Sequence, residues 1–120
     1  SEKMLKKVSF NFKGKSVSLL AEECRGLDRF VGLMFKNRKN AKALLFELKK
    51  PSKLGIHSIF VFFPFVAVWL DGNGNVIDIK KVSPFTILVK PRSQYKKLLE
   101  IPLNEKYEKR LNFSSVIRKI

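Results

Sequence analysis

The chain has 120 residues and carries 25 Lys and Arg against 10 Asp and Glu, a formal net charge of +15 at pH 7. That length suits one domain, residues 1–120, and 45% hydrophobic against 29% charged residues is a globular balance that can bury a self-sufficient core. One Cys and one His exclude an internal disulfide and the usual Cys/His zinc sites, and composition excludes a collagen and a coiled coil.

Residues 7–12 alternate polar and apolar, which puts Val8, Phe10 and Phe12 on one face of a strand. Lys13-Gly14 forms a hairpin turn, and residues 16–19 alternate again as the returning strand. Leu27, Phe30, Val31, Leu33 and Met34 follow at helical spacing, so a short helix is predicted with Phe30, Leu33 and Met34 facing the core. Glu22, Glu23 and Asp28 near its start suit the helix dipole, and the polar run of residues 36–40 ends it. Residues 43–48 are predicted as a strand. Residues 49–53 are predicted as a loop, because Pro51 cannot donate to a ladder and its charged neighbours favour water.

Residues 59–70 are apolar throughout, with Pro64 in the middle. One unbroken strand of that length would exceed about 35 Å at ~3.3 Å per residue, so two central strands bent at Pro64 are predicted, over 56–63 and 65–70. Asp71-Gly72-Asn73-Gly74-Asn75 supplies a hairpin turn, and residues 76–82 return as a strand. Short strands over 85–89 and 95–101 are bounded by Pro84, Pro91 and Pro102. Leu103, Tyr107 and Leu111 at four-residue steps predict a one-sided helix, and residues 116–120 a closing strand. The fold class is α+β, mainly β: a curled sheet or partial barrel of about seven short strands with one or two short helices.

Residues 1–7 contain no apolar segment of the kind a signal peptide needs, and residues 59–70 fall short of the ~20 residues of a spanning helix, so a cytoplasmic protein is expected. Cys24 and His57 could meet only through the fold, with no Gly-rich elbow around the Cys and no third orienting group, so a lone buried Cys and a packed His are the better reading. The Asp71 run imitates the start of a calcium-binding loop, but Val76 stands where the turn Gly belongs and Val82 where the bidentate Glu belongs. No phosphate-binding loop, zinc-protease motif or nucleophile elbow occurs, and the acids are scattered. No catalytic residue, metal site or cofactor is expected.

The charge remains. Of the 25 cations 19 are Lys, hydrated point charges suited to phosphate backbones or diffuse anionic surfaces rather than to bidentate base reading. The densest stretch holds Lys36, Arg38, Lys39, Lys42, Lys49, Lys50 and Lys53 against the single acid Glu47. A non-catalytic binding module for an anionic partner, nucleic acid or another polyanion, is the leading expectation. The alternative is a small-molecule pocket or enzyme centred near His57 and Trp69, where aromatics are dense.

Several strings resemble one family. The residues in 29–36, containing Gly32-Leu33-Met34, then Ala43-Leu44-Leu45-Phe46, then residues 57–71, containing His57, Pro64 and Asp71, come in the order of uncharacterised protein family 0127, also called domain of unknown function 192. Tyr95-Lys96-Lys97-Leu98-Leu99-Glu100-Ile101-Pro102 looks like that family's later Leu-Glu-aliphatic-Pro strand, and the resemblance spans roughly residues 20–120. It implies a compact β-rich domain with a short helix, and no activity. The sequence departs from the family pattern where Val66 replaces an acid two residues after the Pro, where Val61 replaces a Met, and where no Gly follows near Leu103-Asn104. Because residues 63–70 are apolar throughout, Val66 is expected to be buried among apolar neighbours.

Overall fold

The two-residue turn at Lys13 and Gly14, with both residues at positive φ (47° and 80°), has the backbone twist that joins tightly paired antiparallel strands. It connects β1 (Leu5–Phe12) to β2 (Lys15–Glu23). The protein is represented by a computed structural model that describes residues 4–25 and 32–120. The further elements are β3 (Leu44–Ser52), β4 (Phe65–Leu70), β5 (Val76–Val82), β6 (Tyr95–Pro102), α1 (Glu105–Glu108) and α2 (Leu111–Lys119).

The strands form one six-stranded sheet in the order β1-β2-β3-β6-β4-β5. Neighbours are antiparallel except β2 and β3, which run parallel through a short ladder. The edge strands β1 and β5 approach each other, so the sheet curls into a half-barrel. Its inner face buries Val8, Phe10, Val17, Leu19, Val66, Val68, Leu99 and Ile101, and α2 closes it with Phe113 and Val116. The outer face carries Leu44, Phe46, Phe65, Ala67, Trp69 and Leu98 under the loops that precede β3, β4 and β6. Period-two alternation assigns each strand's residues to one face or the other.

The half-barrel of mainly β structure with short helices agrees with the sequence reading, as do the first hairpin, β4, β5 and β6. Asp71 holds the predicted turn before β5, accepting hydrogen bonds from the Asn73 and Asn75 amides at 2.9 Å each. Val66 is buried in the inner face, as expected.

Other elements differ. Residues 56–63 form no strand. Only Ile56 bridges to Val89, and buried Ser58 ties this segment to the next loop by donating from Oγ to the Ser83 carbonyl and accepting from the Thr86 amide. The same pairing replaces the strand expected over 85–89. Residues 49–52, expected as loop, continue β3, because a register irregularity between Glu47 and Ser52 accommodates Pro51. Residues 116–120 are not a strand: Phe113 and Val116, at i and i+3, bury one face of α2. The helix expected over 103–111 shrinks to α1, capped by Asn104. Of the helix expected at 27–34, Leu27, Phe30 and Val31 lie outside the described residues, and Gly32 to Phe35 form a turn with Gly32 and Phe35 at positive φ.

Candidate functional site

β6 is a central strand, and its residue Glu100 pairs in register with Leu44 of β3 on one side and Ala67 of β4 on the other. Leu99 and Ile101 point into the half-barrel, so alternation forces the Glu100 side chain to the outer face beside Leu98. There it is 7% exposed. It makes no hydrogen bond or ion pair with any described residue. Burial pushes its carboxyl up from the ordinary 4.5 to about 7, because desolvation penalises the charged form.

The carboxyl opens onto a cavity of about 450 Å³. Leu98 and Glu100 of β6, Phe46 and Leu48 of β3 and Phe65 of β4 form its floor, and residues 32–34, 54–57 and 61 form its walls. The turn over the carboxyl is Gly32, whose φ of +52° is costly for a side-chain-bearing residue and whose missing Cβ would lie 3.5 Å from Glu100 Oε1. Tyr95 closes one end by donating from its hydroxyl to the Leu54 carbonyl at 2.9 Å. Burial, and behind it the Glu100 charge, raises the Tyr95 hydroxyl above its ordinary range. The walls are otherwise apolar, with His57 as the third polar side chain of the lining after Glu100 and Tyr95.

Of the family-motif positions, the fold brings Gly32, Leu33, Met34 and His57 into this one cavity. His57 is exposed at the rim rather than packed, its Nδ1 accepting from the Ile59 amide at 3.4 Å. Trp69 does not line the cavity. It is fully buried on the same sheet face, and its Nε1 has no hydrogen-bond partner among the described residues. Pro64 accepts at its carbonyl from the Leu103 amide, and Asp71 serves its turn. Cys24 is buried in the outer-face core, and no group of three His, Cys, Asp or Glu among the described residues could hold a metal ion.

The basic cluster divides. Arg38 is a structural residue, donating from Nε to the Leu103 carbonyl at 2.8 Å and pairing with Glu108 at 3.9 Å. Lys36 is half-buried, and Lys39, Lys42, Lys49, Lys50 and Lys53 are exposed; none of these six pairs with an acid among the described residues. Lys42 joins Lys106, Arg110 and Tyr107 around a second cavity of about 290 Å³.

Sequence reasoning noted Glu100 only as part of a family string. The signal that could have found it is an acid between Leu99 and Ile101, inside the run 98–102 that is otherwise apolar. An unpaired acid in such a position either drops out of the core or faces something that needs it.

The family model DUF192 (Uncharacterized ACR) matches residues 20–114. The chain belongs to this family. It is similar to the UPF0127 protein PH1112 of Pyrococcus horikoshii, at 26% identity over 92 residues, covering 77% of this chain and 79% of that one. Among solved structures it resembles a putative transcription regulator (R01717) from Sinorhizobium meliloti 1021, with TM-score 0.73 and 16% identity, covering 85% of this chain and 83% of that one. A protein of unknown function from Novosphingobium aromaticivorans DSM 12444 aligns with TM-score 0.70 and 15% identity over 82% of this chain and 73% of its own. These two likenesses establish the half-barrel fold of the DUF192 chain. No helix among the described residues is long and apolar enough to cross a membrane.

Proposed function

We propose that this DUF192 domain is a non-catalytic, cytoplasmic binding module whose ligand is a small molecule with an apolar body and one cationic or strongly hydrogen-bonding donor group. The observation that carries the reading is the Glu100 carboxyl, without a partner among the described residues, opening on a largely apolar cavity of about 450 Å³. A buried carboxylate without a partner is costly, and a ligand donor placed against it would remove that cost while its apolar remainder displaces water from Phe46, Leu48 and Leu98. No cofactor or metal is needed for this role.

The test is calorimetric titration at pH 8 with octylammonium and, as its control, octanoate. The expected result is that octylammonium binds and octanoate does not, and that Glu100→Gln weakens octylammonium by about tenfold or more, the scale of one charge-assisted contact. Absent octylammonium binding, or binding indifferent to Glu100→Gln, would overturn the reading.

A second reading rests on a separate observation, six Lys side chains, at positions 36, 39, 42, 49, 50 and 53, that pair with no acid among the described residues. These support association with nucleic acid or another polyanion. Binding to heparin or duplex DNA should then weaken linearly in log salt, by several decades between about 50 and 200 mM for about six to ten contacts. No retention on a heparin column at physiological salt would sink it.

A further inference from the structure

We propose that the loop surface carrying Phe35, Phe60, Phe62 and Phe85 docks on an anionic lipid surface, with these rings inserting among the acyl chains. This goes beyond the pocket reading and does not depend on it. The four rings form one chain of contacts: Phe35 stacks on Phe60 at 5.1 Å between centroids, Phe35 meets Phe62 at 6.3 Å, and Phe62 meets Phe85 at 5.6 Å. Yet they are 68%, 46%, 56% and 60% exposed respectively, alongside Ile87 at 78% and Leu88 at 55%. A contiguous exposed apolar surface of this kind marks an interaction site rather than ordinary surface scatter.

The backbone holds the rings outward. Phe35 and Phe85 adopt φ of 60° and 61°, a left-handed conformation that an aromatic residue keeps only where its surroundings over-determine it. The loops that carry them are tied together: the Phe35 amide donates to the Phe60 carbonyl at 2.9 Å, and the Phe85 amide to the Ser58 carbonyl at 2.8 Å. The surface is therefore preformed.

Charge selects the occupant. The segments that carry these side chains, 32–37, 53–64 and 83–90, contain Lys36, Lys53 and Lys90 and no Asp or Glu. A second copy of the chain would bring two such cationic surfaces face to face, which disfavours self-association. Single-stranded nucleic acid would satisfy the charge, but Ile87 and Leu88 offer no ring for a base to stack on, and Phe35 and Phe60 already stack on each other. A lipid surface satisfies every part: headgroup phosphates for Lys36, Lys53 and Lys90, and acyl chains for the rings and aliphatic side chains.

The test is co-sedimentation of the full chain with vesicles of phosphatidylcholine alone or mixed with phosphatidylglycerol. The expected result is partition onto the mixed vesicles, at least about tenfold weaker on phosphatidylcholine alone, and a comparable loss for Phe60→Ser with Phe62→Ser. A separate Phe62→Trp variant should show blue-shifted emission and quenching by brominated lipid, readable because Trp69 is fully buried. No partition, partition unchanged by the serine substitutions, or unshifted emission would overturn the proposal. So would binding to poly(U), or a dimer, that those substitutions abolish while vesicles go unbound.

Discussion

Residues 98–101 place the two faces of the sheet side by side. Leu99 and Ile101 enter an inner core that α2 seals, where the side chains are apolar and packed against Val66, Val68 and Phe113. Leu98 and Glu100, one residue out of phase, enter an outer face covered by residues 32–34, 54–57 and 61, and that face retains a cavity of about 450 Å³ and an acid with no partner among the described residues. Close packing leaves the inner face no room for a ligand, whereas a cavity with a buried acid on its floor is the ordinary form of a binding site. The inner face therefore holds the fold, and the outer face is free to carry a site.

The largest effect should come from opening the sealed side. Phe113→Ala removes a fully buried ring from α2 and should destabilise the protein by about 3–5 kcal/mol, measured as a drop in urea midpoint at unchanged slope. Val66→Asp puts an unpaired carboxylate into the same core and should cost about 2–4 kcal/mol. An unchanged melting temperature there would show that the inner face accepts the acid found at this position in the family pattern.

On the outer face the sign should reverse. Glu100 binds its proton more tightly folded, at about 7, than unfolded, near 4.5, so between those values folding takes up a proton and stability falls as pH rises. Below about 4.5 both states are protonated and the group is neutral in effect. Above about 7 the full penalty applies, about 3 kcal/mol for that displacement. Glu100→Gln should then match the parent near pH 4 and exceed it by up to about 3 kcal/mol at pH 8, read as melting temperatures across the pH series. The smallest effect belongs to the solvent-facing rings: Phe62→Ser should shift stability by no more than about 0.5 kcal/mol, which separates that surface from the cavity behind it.

The inner face was legible because its signals are local and periodic: the alternation in β1 and β2, the turn residues at Gly14 and Asp71, and the apolar block of β4. The outer face was less so. The run from Ile59 to Phe63 reads as buried strand, yet Phe60 and Phe62 face solvent while Val61 and Phe63 face the core, because Ser58 pairs with the following loop instead of a ladder. Hydrophobicity alone does not distinguish a residue that is buried from one held out for a partner. Residues 116–120 by themselves read as a strand; Phe113, three residues before Val116, supplies the helical spacing that buries one face of α2. Gly32, Met34 and His57 were singled out as family positions, but only the fold brings them over Glu100, some seventy residues or fewer away in the chain and adjacent in space for Gly32.

The central claim is that Glu100 is a buried acid with no partner among the described residues, facing a cavity. The direct measurement is a carbon-13 NMR titration of the Glu carboxyl carbons, with the Glu100 resonance assigned by its loss in Glu100→Gln. A midpoint near 7 is the expected result, well separated from the surface acids. A Glu100 midpoint at the ordinary value near 4.5 would mean that the carboxylate is hydrated or paired, and would contradict the site.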